Sequence, residues 1–126
     1  MKKITLSLFL FICTLCFINF SIKTIDNLTN EICTLCEEIK YDAKNEDWIS
    51  AQNNSTKLLE LWNENYKIII LYVNTADLDT INSKVVELYE YCRLENKNNI
   101  IVSSEVLSYL ILDINSLQNV NIRNIF

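Results

Sequence analysis

The sequence predicts an all-α protein: an N-terminal transmembrane helix continuing into an up-down antiparallel helical bundle of about four helices. Three observations carry this reading. Ile4 to Ile22 is a run of 19 residues without a charge. Beyond it, apolar residues recur at steps of three and four, the period of one helix face. The 126-residue chain holds no Gly and no Pro, so it has neither the usual hairpin residues nor a forced helix break.

The first element is the apolar run. At about 1.5 Å per residue it nearly matches the roughly 30 Å hydrocarbon core of a bilayer. Lys3 and Lys23 bound it. A cleaved signal peptide is the competing reading, but Asn19-Phe20-Ser21 lacks the small residues of a cleavage site. Leu10-Phe11-Ile12-Cys13 is likewise too bulky for a lipoprotein site. Residues 1–22 are therefore expected to be an uncleaved signal anchor, and residues 23–126 an extracytoplasmic helical bundle. Lys2 and Lys3 place the N-terminus inside by the positive-inside rule, giving a single-pass protein of the cell membrane. Secretion after cleavage is the alternative.

Ile25, Leu28, Ile32, Leu35 and Ile39 continue the anchor as one stripe, so the first helix should leave the membrane unbroken and end near Ala43. Asn45 can cap the second helix, with Glu46 and Asp47 favourable in its first turn. That helix follows Trp48, Gln52, Ser55, Leu59, Trp62, Tyr66, Ile69 and Val73. Ile68 to Val73 alone would pass for a buried strand, but the unbroken helical period decides otherwise. Asn74-Thr75-Ala76 supplies a turn and cap. The third helix carries Leu78, Ile81, Val85, Leu88 and Cys92 and stops at Glu95 to Asn99. The fourth carries Val106, Leu107, Leu110, Ile111, Ile114 and Leu117. Connections this short make neighbouring helices antiparallel. After Leu117 the period stops. Val120, Ile122, Ile125 and Phe126 are expected to dock, either on the bundle or on a partner.

Composition excludes several functions. Without Gly there is no glycine-built phosphate loop or dinucleotide fingerprint. Without His the commonest general base and transition-metal ligand are missing. The formal charge of −5, all the acidic excess lying beyond the anchor, argues against nucleic acid as a partner. The 17 Asn and 18 Ile reflect an AT-rich coding sequence, so the sequons at Asn27, Asn53 and Asn54 are read as chance.

The five cysteines are the most suggestive chemistry. Cys13 and Cys16 lie in the anchor, Cys33 and Cys36 form a second C-x-x-C pair, and Cys92 stands apart. Such a pair suggests thiol–disulfide exchange or a metal. Yet Cys33 and Cys36 fall in mid-helix with Glu37 and Glu38 following, and with Cys92 they make only three zinc ligands. They are read as seam residues. Asp77 and Asp79 complement a helix dipole, and Glu60 and Glu64 form a solvated face with Lys57 and Lys67. Ser103 and Ser104 have no Lys aimed at them, and Trp48, Trp62, Tyr66 and Tyr72 read as core rather than a stacking platform. No catalytic, cofactor-binding or metal residue is assigned, and no small-molecule substrate is evident.

Asn45-Glu46-Asp47-Trp48 opening a helix, Trp62 a few turns later, Asp77-Leu78-Asp79 and the closing Asn121-Ile122-Arg123-Asn124-Ile125-Phe126 form a pattern. With the anchor, it resembles the domain of unknown function 4363 family over nearly the whole chain. The resemblance implies a membrane-anchored helical protein of clostridial-type bacteria, of undefined function and linked to spore-forming cells. It brings no catalytic residues. Members usually show a His before the third helix; here the stretch is Asn74-Thr75-Ala76, so no His-based role applies. The expected function is a non-catalytic interaction module or accessory subunit, its partner another membrane protein. The alternative is a thiol-based redox sensor or enzyme using Cys33 and Cys36.

Overall fold

The computed structural model describes the backbone of residues 1–71 and 73–125, and their side chains except Ser21, Ile22 and residues 116–125. Among the described residues there are four helices and no strand: α1 (Lys2–Lys44), α2 (Trp48–Ile69), α3 (Thr75–Arg93) and α4 (Lys97–Ile125). α1 packs on α2 and α4, and α3 packs on the same two, which closes a four-membered antiparallel ring. α1 runs 43 residues without a break, so its first half extends beyond the bundle while its second half forms one wall of it.

The third helix buries the five residues its spacing singles out: Leu78, Ile81, Val85, Leu88 and Cys92. Elsewhere the seam shifts slightly. In α1, Cys36 is buried and Leu35 only half-buried; in α2, Leu58 is buried and Leu59 half-buried. In α4 the core takes Ile100, Ser103, Ser104, Leu107 and Ile111, and leaves Val106 exposed. Each helix faces two neighbours, so its buried sector is broader than a single row, and its centre depends on both partners.

The connections also differ from the sequence expectation. α2 is capped by Asp47, whose carboxylate accepts from the Ser50 backbone N–H at 3.2 Å, while Asn45 instead ends α1. α2 stops at Ile69 rather than running to Val73, because the chain must reverse there for α3 to reach the core. α3 is capped as expected, Asn74 accepting from Ala76 N–H at 2.9 Å. The helical backbone of α4 continues past Leu117 to Ile125. The side chains expected to dock, Val120, Ile122, Ile125 and Phe126, lie outside the described residues.

The α1–α2 and α3–α4 connections match bond for bond. In the first, Asp47 N–H reaches the Asp42 carbonyl at 2.9 Å and Glu46 N–H the Ala43 carbonyl at 3.1 Å. In the second, Asn96 N–H reaches the Tyr91 carbonyl at 3.0 Å and Glu95 N–H the Cys92 carbonyl at 3.2 Å. Both are paired reverse bonds that satisfy the last carbonyls of a helix. The match extends inward with a constant offset of 49 positions. Buried Ile32, Cys36, Ile39 and Ala43 correspond to Ile81, Val85, Leu88 and Cys92, and Ala51, Ser55, Leu58 and Trp62 to Ile100, Ser104, Leu107 and Ile111. The bundle is thus two similar helical hairpins related by a pseudo-twofold axis.

Each connection places a glutamate in the left-handed region, Glu46 and Glu95 both at φ 56°. Glycine normally takes this position, because a Cβ crowds the following carbonyl there. Glu46 has a return in its ion pair with Lys97 at 3.7 Å. Glu95→Gly is therefore expected to stabilise the bundle by about 0.5–1 kcal/mol. A thermal melt of the detergent-solubilised chain checks this, and a lowered midpoint would refute it.

Candidate functional site

Three features of the described residues could carry function: the apolar half of α1, the thiols of the bundle, and the polar contacts that fasten its helices. Among the described residues α1 is the one helix long and apolar enough to cross a membrane. None of residues 4–20 is buried, and Leu6, Leu8, Phe9, Leu10, Phe11, Phe17 and Phe20 are each more than half exposed. The bundle therefore does not cover this segment. A run of exposed Leu, Ile and Phe of that length is far larger than the apolar patches water-soluble domains tolerate.

The five cysteines are all free thiols. Cys13 and Cys16 stand exposed on the apolar half of α1, whereas Cys36 and Cys92 are buried and Cys33 is half-buried. Burial pushes the Cys36 thiol up to about 12, and the neighbouring Ser108 hydroxyl offsets this only in part. Burial likewise pushes Cys92 up to about 11, partly offset by Ser55. Cys33 is raised by burial and then by the Glu37 carboxylate. Thiol exchange needs a thiolate, and these surroundings hold each group protonated. The geometry is that of core thiols: Cys36 and Cys92 take the places that Val85 and Ala43 take in the other hairpin.

Asp42 is a polar device that the apolar pattern passes over. It is 8% exposed, and its Oδ2 accepts from Ser50 Oγ at 2.9 Å and from Asn54 Nδ2 at 2.8 Å. One carboxylate thereby ties α1 to the first two turns of α2. The signal was in the sequence: Asp42 lies three residues after Ile39 and beside Ala43, an acid in the buried phase of a helix. Asn54 is committed to this contact, and Ser55 is buried, its hydroxyl donating to the Gln52 carbonyl at 2.9 Å. On the other side of α1, Lys40 Nζ is paired with Glu37 and with Glu105 of α4. Glu105 raises the Lys40 ammonium, and Lys40 holds the Glu105 carboxyl below its ordinary range.

The remaining candidates fall apart from one another. Asp77 stands in the first turn of α3, where an acid complements the helix dipole, and Asp79 is exposed. Glu60, Glu64, Lys57 and Lys67 are exposed. Ser104 donates to the Ile100 carbonyl at 2.8 Å, which occupies its hydroxyl. Among the described residues no group of three or more acids and thiols could hold a metal ion. Trp62 is 1% exposed and its Nε1–H donates to Asn82 Oδ1 at 3.0 Å. Its ring meets Tyr66 edge-on, with centroids 6.0 Å apart. Trp48 and Tyr66 are half-buried against the same core, so three of the four aromatics are packing groups. Tyr72 lies outside the described residues.

No curated protein and no solved structure matches the chain. A family model does: that of a domain of unknown function, DUF4363, over residues 19–125. The match takes in the four-helix bundle and begins where the apolar half of α1 ends. The chain belongs to the DUF4363 family.

Proposed function

We propose that this is a single-pass membrane protein whose helical bundle serves as a non-catalytic interaction module, an accessory subunit of a larger membrane complex. One observation carries the reading: α1 is a single 43-residue helix, exposed and apolar in its first half and a core wall in its second. A rigid helix shared between bilayer and bundle fixes the height and tilt of the bundle over the membrane, with no linker to uncouple them. The chemistry supports a binding role. The bundle thiols Cys33, Cys36 and Cys92 are held protonated, Ser104 is occupied by a backbone carbonyl, and Glu37, Asp42, Glu87, Glu90 and Glu105 are paired with Lys, Arg, Ser or Asn. Lys2 and Lys3 orient the N-terminus to the cytoplasm and the bundle outside.

The test is topological. The mature protein is expected to retain Met1 to Ile22 by intact mass, and to stay with membranes after alkaline carbonate extraction. A membrane-impermeant amine reagent should label Lys44 and Lys97 in intact cells. A processed N-terminus near Ser21, or lysines labelled only after lysis, would overturn the anchor or its orientation.

A further inference from the structure

We infer that the α2–α3 turn, through Ile68, Ile70 and Leu71, is a second membrane contact, seated in the interfacial layer of the same bilayer that α1 enters. The inference rests on the membrane-anchored reading above and adds a surface to it. The two ends of the bundle differ chemically. The end away from the apolar half of α1 carries the α1–α2 and α3–α4 connections, each with a glutamate at its tip and an Asp or Asn beside it. The end toward that half carries the α2–α3 connection, where no charge occurs between Lys67 and Asp77.

The position of that turn along α1 is fixed by packing. Ile25 and Leu28 of α1 share a small apolar void of about 30 Å³ with Ile69, Val73 and Leu78. The turn is therefore level with Ile25, two residues past Lys23 and about 3 Å along the helix axis from where the charge-free run closes. At that level Ile68 is 46% exposed, Ile70 43% and Leu71 76%. The backbone holds them there: Ile70 N–H donates to the Tyr66 carbonyl at 3.0 Å, and Leu71 N–H to the Ile68 carbonyl at 3.2 Å. These three side chains are thus presented outward by a hydrogen-bonded turn at the height of the bilayer surface. Continuity with the apolar half of α1 selects lipid as the occupant. Aliphatic side chains gain there by entering the acyl boundary, and the amine of Lys67 can reach the headgroups.

The experiment uses the full chain in vesicles of phosphatidylcholine and phosphatidylglycerol carrying acyl chains brominated near the headgroup. A fluorescent amino acid is placed singly at Leu71, at Ile68, at Phe11 within the anchor, and at Ile49, which is 77% exposed at the opposite end of the bundle. Quenching at positions 71 and 68 is expected to be several-fold stronger than at 49, with position 11 also quenched. Quenching at 11 with 71 and 68 no stronger than 49 overturns the inference and leaves the anchor standing. No quenching at 11 overturns both. A position 71 shielded from aqueous iodide in native membranes but open to it in pure lipid would also overturn it, in favour of a protein partner.

Discussion

Replacing Trp62 with Ala is expected to destabilise the bundle by about 3–5 kcal/mol, a large share of the stability of a domain this size. The ring is 1% exposed in the middle of α2 and touches the seam on both sides, so truncation leaves a void that rigid helices cannot close. The indole also satisfies Asn82 across the α2–α3 interface. The measurement is a thermal melt of the detergent-solubilised full chain, where a loss of that size moves the midpoint by at least about 10 °C. Trp62→Phe keeps most of the apolar volume and loses the hydrogen bond, so its effect is expected near 1 kcal/mol. A midpoint shift of only a degree or two for Trp62→Ala would mean that the indole does not seal the core.

Raising the pH from 8 to 11 is expected to remove a further large part of the stability, through Cys36 and Cys92. Both thiols are raised above their ordinary value of 9.0, to about 12 and about 11. Between pH 9 and those values the folded chain keeps protons that the unfolded chain releases. Their stabilising contribution is therefore whole below pH 9 and declines as the pH rises. At about 1.4 kcal/mol per pH unit and group, two groups over two pH units set an upper bound of about 5 kcal/mol on the loss by pH 11. The pseudo-twofold axis names the replacements that keep the packing: Cys36→Val, after Val85, and Cys92→Ala, after Ala43. The double variant should match the parent at pH 7 and hold its melting temperature better above pH 9. Superimposable pH profiles would mean that neither thiol is shielded from water.

Much of the fold was legible because its signals are local. α3 reads directly: Leu78, Ile81, Val85, Leu88 and Cys92 are spaced for one face, and that face is the buried one. The apolar run of α1 was equally plain, since a charge-free stretch of that length has few soluble uses. The pseudo-twofold repeat was not legible. The positions that correspond hold different residues, Cys36 with Val85 and Trp62 with Ile111, so equivalence lies in burial rather than identity. The helix caps misled for a related reason. Asn45, Glu46 and Asp47 are all plausible N-cap neighbours, and only the reverse bonds from Asp42 and Ala43 decide that Asp47 takes the place.

By itself, then, the sequence determined the helical class, the apolar segment and the absence of His- or Gly-dependent chemistry. All of these follow from residue type and spacing along one strand of chain. Tertiary structure alone decided that Asp42 is a buried fastener, that Cys36 and Cys92 sit where a thiolate is disfavoured, and that α2 stops at Ile69. It also set Ile68, Ile70 and Leu71 level with the end of the apolar run. Those properties depend on which helices face each other and at what height. No local period encodes them, because burial and pKa are set by neighbours many residues away.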